Sequence, residues 1–182
     1  MKYRHPRRGP WRPLHGDDGP VVDIAAQPHL LLTQDEWCAV RERWPQGMPV
    51  GVRLANDAEV EDLADDLPRL GLVALAFPKW TDGRAYSQAR LLRSRLRYAG
   101  ELRATGEVLA DMLPLLARTG FDAVELRADQ RQDVAERALR HFGAHYQGDT
   151  LDPRPLFGRP PAWAAAASRA AEHEFENAEQ TA

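Results

Sequence analysis

The sequence predicts an α/β protein built on an open parallel β-sheet flanked by helices. Between residues 29 and 126, five short apolar runs alternate with segments whose apolar residues recur at helical spacing. This alternation is typical of βαβ units, in which right-handed crossovers place helices against a parallel sheet. Five units are too few for a closed eight-stranded barrel, which takes about 250 residues. We favour a five-stranded flavodoxin-like sheet; the alternative is a half-barrel with its strands in sequential order.

Each strand and the helix that follows it can be placed along the chain. The predicted strands are residues 29–33, 50–55, 72–77, 101–105 and 121–126. The predicted helices are residues 34–44, 57–70, 85–98, 107–119 and 129–142. Asn56 or Asp57 can cap the second helix, and glycines at positions 71, 100 and 120 end the second, third and fourth. Pro114 either kinks the fourth helix or marks a late start.

The segments on either side of this α/β domain, residues 29–148, lack its periodicity. Residues 1–28 open with five basic residues and no acid among the first thirteen, which is typical of a solvated, partly flexible arm. Residues 149–182 combine a Pro-rich linker with an Ala-rich tail of helix-forming residues. We therefore expect one folded domain between a basic arm and a C-terminal tail.

Composition excludes several classes of function. The single cysteine, Cys38, rules out an intrachain disulfide, a Cys-x-x-Cys redox pair and a four-cysteine iron–sulfur cluster, and its neighbours predict a core position. Neither a P-loop nor a Gly-x-Gly-x-x-Gly fingerprint occurs. The isoelectric point near 6.1 argues against a nucleic-acid partner, and no apolar run reaches the roughly 20 residues of a membrane helix. We expect a cytoplasmic protein with no metal site and no flavin, haem or other cofactor.

The segment Pro78–Ser87, after the third predicted strand, carries the richest chemistry. Ligands of open α/β sheets bind outside the carboxyl ends of the strands, and a helix N-terminus there favours an anion. The candidate anion-binding residues are Lys79, Thr81, Asp82, Arg84, Tyr86 and Ser87, joined by Arg103 from the next strand. The alternative is a plain turn in which Thr81 or Asp82 caps the helix. No catalytic residue can be assigned.

Three charged residues, Arg53, Arg103 and Glu125, fall inside predicted strands. An unpaired charge is costly in a parallel sheet that is buried on both faces. These side chains must therefore pair with one another or face the crevice at the strand ends. For Arg103, the alternative to the anion site is a buried ion pair with Glu125.

Three arginines on the third predicted helix, Arg90, Arg93 and Arg97, recur at i, i+3 and i+7 and are expected to share a face. The plain interpretation is a solvated surface. The alternative is a docking surface for an acidic partner, because complementary charge steers association. In a homodimer, the acidic stretch 57–66 could supply that partner surface.

Three stretches resemble a known bacterial family. They are FPKWTDGRAYSQARLLR at 77–93, GELRATGEVL at 100–109 and GFDAVEL at 120–126, and they are similar to domain of unknown function 934. The resemblance covers roughly residues 20–148 and leaves the tail outside. Members of that family sit beside sulfite reductase genes and are described as oxidoreductases or accessory proteins of sulfite reduction. The resemblance implies an accessory protein of assimilatory sulfite reduction that binds a partner such as sulfite reductase. The alternative is a small enzyme, an oxidoreductase, holding a sulfur oxyanion or phosphorylated metabolite at Pro78–Ser87.

Overall fold

The computed structural model describes residues 2–4, 10–14, 24–141, 146–150 and 153–158. The chain divides into two compact units, Met1–Gly143 and Ala144–Ala182. The first unit holds the sheet and its helices. The described part of the second contains a 3₁₀ turn at Leu156–Gly158, while the predicted Ala-rich tail lies outside the described residues. None of the described helices is long and apolar enough to span a membrane.

The sheet is an open, curled half-barrel of parallel strands. Its spatial order is β1 (Lys2–Arg4), β7 (Ala123–Glu125), β6 (Glu101–Gly106), β5 (Leu70–Phe77), β4 (Val50–Leu54), β3 (Leu30–Thr33) and β2 (Arg12–Pro13). The five predicted strands are β3 to β7, so the predicted α/β class is confirmed. Because each of these strands lies beside its neighbour in sequence, the half-barrel alternative is correct and the flavodoxin-like strand order is wrong. The two extra short strands come from the predicted N-terminal arm and lie at opposite edges.

The helices are shorter than their apolar periodicity predicts. They are α1 (Gln34–Val40), α2 (Arg84–Arg90), α3 (Leu113–Thr119) and α4 (Gln132–His141). A π-helical turn, Leu91–Arg95, continues α2, and a 3₁₀ turn, Ala110–Met112, precedes α3. Pro114 lies in the first turn of α3, where a missing N–H does no harm, so the late start is confirmed.

The predicted second helix, 57–70, is wrong. This segment forms two 3₁₀ turns, Val60–Leu63 and Leu67–Arg69. Pro68 disfavours the α conformation at the residue before it. The acidic stretch 57–66 also contains no base, so it offers no stabilising pairs at i, i+4.

The hydrophobic core lies between the helices and one face of the sheet. Leu32, Val52, Val73 and Leu102 lie opposite one another in register and are fully buried. On α1 the inward position belongs to Trp37, whose ring meets that of Trp44 edge-on at 6.0 Å. Cys38, the next residue, therefore points away from the core and is exposed, which corrects the expectation that it is buried.

Candidate ligand-binding groove

The opposite face of the sheet carries an open groove of about 730 Å³ at the carboxyl ends of the strands. Its walls include Thr33 from β3, Arg53 from β4, Ala76 from β5, Thr105 from β6 and Glu125 from β7. Successive side chains along a strand point to opposite faces of the sheet, so every second side chain of each strand faces this side. In α/β barrels, binding and catalytic residues gather at the same end of the strands.

Arg103 lies in the groove wall as part of an ion cluster. Its Nη1 donates to Glu125 Oε1 at 2.9 Å, while its Nε and Nη2 donate to Glu101 Oε1 at 2.9 and 2.6 Å. The arginine is only 4% exposed. The predicted pairing of Arg103 with Glu125 is therefore confirmed, and two carboxylates already compensate its charge.

Arg53 is the contrasting case. It is exposed, although it lies in a central strand between Thr33 of β3 and Ala74 of β5 in register. Within the described part of the chain its side chain makes no hydrogen bond or ion pair. The expectation that strand charges either pair or face the crevice thus holds for all three residues. Arg53 supplies a cation whose donors are available to a ligand.

Trp11 forms a further part of the groove lining that sequence reasoning missed. The β4–β5 register shifts so that Val50 opposes Leu70 but Gly51 opposes Leu72, which leaves Gly71 as a bulge. A Cβ on Gly71 would lie 3.1 Å from the Trp11 ring, so the glycine allows the indole to approach. The only signal in the sequence was a tryptophan within an otherwise basic arm.

The segment Pro78–Ser87 is organised around Asp82 rather than around an open anion site. The Arg84 guanidinium donates to Asp82 at 2.7 and 3.1 Å, and the Arg84 backbone N–H donates to Asp82 Oδ1 at 3.2 Å. Asn56 Nδ2 also donates to this carboxylate, at 2.6 Å. The turn of the alternative is present, but the N-cap of α2 is Gly83, with no side-chain cap; Asp82 precedes it and accepts from the first helical N–H.

The structure does not bring the seven candidate residues together. Arg84 is bound to Asp82, whereas Arg103 lies in the groove wall with its two carboxylates. Lys79, Thr81 and Ser87 are exposed. Tyr86 packs edge-on against Phe77 at 5.2 Å, and burial raises the pKa of its hydroxyl. Anion binding at this segment stays a prediction.

We predict that Asp82 titrates at an unusually low pH. Hydrogen bonds from Arg84 lower its pKa from 3.8 to about 2. Since the folded-state pKa is depressed, the stabilisation is present above pH 3.8 and is lost as the pH falls towards 2. An NMR titration of the side-chain carboxyl should show this, and Arg84→Gln should move the pKa back towards 3.8. Asn56→Ala should move it less; an equal shift would contradict the assignment to Arg84.

The predicted arginine face does not exist as one surface. The Arg93 side chain turns inward and donates to the carbonyl oxygens of Tyr98, Gly100 and Gly120 and to the Asp122 carboxylate. Arg97 lies beyond the helix in the left-handed region, with φ of 55°. The π-helical turn causes both departures, because it abandons the 3.6-residue period on which the expected spacing depends. Arg90 and Arg97 are exposed, but they flank a structural arginine.

Metal ligation receives no support in the described ranges, where no three His, Cys, Asp or Glu side chains are grouped to hold an ion. The curled sheet instead defines an α/β half-barrel protein with an open groove at the carboxyl ends of its strands. A family model described as a bacterial protein of unknown function, DUF934, matches residues 51–157, and the chain belongs to that family. The match starts later than the resemblance suggested and extends past residue 148, so placing the whole tail outside the family was wrong. A search of curated proteins found no match.

Proposed function

We propose that this protein is an accessory protein of assimilatory sulfite reduction that acts by binding, and that the groove is its ligand site. The pathway part of the proposal rests on the family resemblance. The binding part rests on one observation, the exposed Arg53 side chain in the groove wall. Association with sulfite reductase belongs to the same proposal.

Arg53 fits an oxyanion better than it fits a structural role. A guanidinium presents five donors in a planar fork that matches sulfate, sulfite, carboxylate or phosphate oxygens. The neighbouring Thr33 hydroxyl is already used, because it accepts from the Glu36 N–H at 3.3 Å and caps α1. Arg103 is likewise committed to Glu101 and Glu125. Arg53 is therefore the arginine of the groove best able to meet an incoming anion.

The enzyme alternative located at Pro78–Ser87 receives less support. It requires Lys79 and Arg84 to reach one ligand, whereas Arg84 is held by Asp82 and only Pro78 of this segment borders the groove. A binding function needs only the charge and hydrogen-bonding groups that the groove wall presents.

We predict that sulfite, sulfate or phosphate stabilises the protein through Arg53. Binding to the folded state alone raises stability by mass action, about 2.7 kcal/mol at one hundred times the dissociation constant. Thermal denaturation at constant ionic strength should show a saturable increase in Tm for the unmodified protein. Arg53→Gln should abolish that increase while changing basal stability by no more than about 0.5 kcal/mol, because the side chain is exposed and unpaired.

Arg90→Gln is the matched control, because Arg90 is also exposed but lies on α2 outside the groove lining. It should keep the full anion response. An anion response that survives in Arg53→Gln would contradict the proposed site. For the pathway part, the purified protein should capture sulfite reductase from cells grown on sulfate, and failure to do so would remove that part.

A further inference from the structure

We infer that the groove takes a small amphoteric ligand, in which an oxyanion and an amine are joined by a short aliphatic body. This inference rests on the proposed function and names the class of ligand for the same groove. It follows from the acidic residues that share the groove with Arg53.

Two exposed carboxylates, Asp35 and Asp57, line the groove together with Arg53. Neither side chain makes a hydrogen bond or ion pair within the described part of the chain. The hydrogen bond to Asp82 raises the pKa of the Arg84 guanidinium, and the charge of Asp57 acts on it electrostatically and raises it further. Arg103 is held by Glu101 and Glu125 in a cluster that keeps one excess negative charge. Outside that cluster, the charged residues of the lining are one cation, Arg53, and two anions, Asp35 and Asp57. A bare anion would gain attraction from Arg53 but would meet repulsion from both carboxylates.

The backbone that carries each carboxylate is held in place by its surroundings. Asp57 lies in a loop that the buried Gln88 braces, since its Nε2 donates to Ala55 O at 2.9 Å and to Ala58 O at 2.8 Å. The residue before it, Asn56, is tied to Asp82. The backbone on both sides of Asp57 is therefore anchored, which lowers the entropy lost when a ligand binds.

Asp35 is positioned by the start of α1. The Thr33 hydroxyl accepts from the Glu36 N–H, and Glu36 Oε2 accepts from the Thr33 N–H at 2.7 Å. This reciprocal capping box fixes the backbone on both sides of Asp35, which lies between the two residues in sequence. Thr33 also lies opposite Arg53 in the β3–β4 register. Asp35 therefore follows the end of β3, and Asp57 follows the end of β4, the strand that carries Arg53.

Apolar residues next to Asp57 in the chain also line the groove. They are Ala55 and Ala58, and they suit a few methylene groups rather than another charge. An oxyanion bound to Arg53 and an amine bound to Asp57 or Asp35 would use the cation and one of the two open carboxylates.

The test compares ligand pairs that differ only in the amine. Taurine is paired with ethanesulfonate, and β-alanine with propionate, and binding to the full chain is measured by calorimetry at constant ionic strength. Each amphoteric member should bind about fivefold more tightly than its partner, the gain expected of an exposed ion pair. Arg53→Gln should lose binding of all four compounds.

Asp35→Asn and Asp57→Asn combined should remove most of the amphoteric advantage while leaving ethanesulfonate and propionate binding unchanged or tighter. Asp65→Asn, at an exposed acid outside the groove lining, is the matched control and should change nothing. Equal affinities within each pair would overturn this inference and leave the anion site intact. If none of the four compounds nor sulfite, sulfate or phosphate binds, the proposed function fails as well.

Discussion

Replacing Arg103 with methionine should destabilise the protein by about 3 kcal/mol, because removal of one partner from a buried ion cluster leaves the other charges uncompensated. Arg103 is 4% exposed, and the Glu101 and Glu125 side chains that it binds are 20% and 21% exposed. Methionine has a similar length, so the loss comes from charge and hydrogen bonding rather than from a cavity. Urea denaturation monitored by tryptophan fluorescence measures the free energy of unfolding.

Arg53→Met is the matched control, since Arg53 and Arg103 lie in one row across the sheet, separated by Ala74. Its effect should stay within about 0.5 kcal/mol, because Arg53 is exposed and its side chain makes no hydrogen bond or ion pair with the described residues. Adding Glu125→Gln to Arg103→Met should recover part of the lost stability. Equal costs for the two arginines would contradict their division into structural and ligand-facing roles.

The β-strands could be predicted from the sequence, but their order could not. Each apolar run between residues 29 and 126 is a local pattern, and the structure has a strand in each. Strand order depends on the edge to which each crossover returns, and a flavodoxin-like sheet and a half-barrel share the same local pattern. The curvature and packing of the whole sheet decide between these two arrangements, and a local pattern does not contain that information.

A local irregularity in the third predicted helix made the prediction of a shared arginine face wrong. Arg90, Arg93 and Arg97 share a face only if the helix keeps 3.6 residues per turn. The π-helical turn Leu91–Arg95 changes that period, and Arg93 then binds carbonyl groups from the neighbouring loops. These acceptors, Gly100 and Gly120 among them, lie far enough along the chain that spacing gave no sign of them.

The groove was only partly predictable. The cost of a charge in a strand correctly singled out Arg53, Arg103 and Glu125. Trp11 could not be found in this way, because its position depends on a bulge that appears only in the β4–β5 register. Asp57 was interpreted as a possible helix cap; that helix is absent, and the residue lines the groove instead.

Gly106→Ala should destabilise the protein about as much as Arg103→Met, by about 3 kcal/mol. Gly106 ends β6 and borders the groove, with a φ of 92° that side chains rarely adopt. An added Cβ would lie 2.5 Å from Phe77 O, a contact too short to tolerate. That oxygen also accepts from the Glu107 N–H at 2.8 Å, so it cannot retreat without weakening the bond that joins the ends of β5 and β6.

Gly47→Ala separates backbone strain from this clash. Gly47 also has a positive φ, of 76°, but no atom of the residues that the structure describes lies within 4 Å of its potential Cβ. Strain alone should destabilise that variant by about 1 kcal/mol. Urea denaturation measures the free energy of unfolding that each variant loses. The amount by which Gly106→Ala loses more than Gly47→Ala then gives the contribution of the close approach of β5 and β6. Since this approach shapes the groove, Gly106→Ala should also weaken sulfate binding under conditions where the variant is folded, whereas Gly47→Ala should not. Equal stability losses for the two variants would show that the strand ends can separate freely.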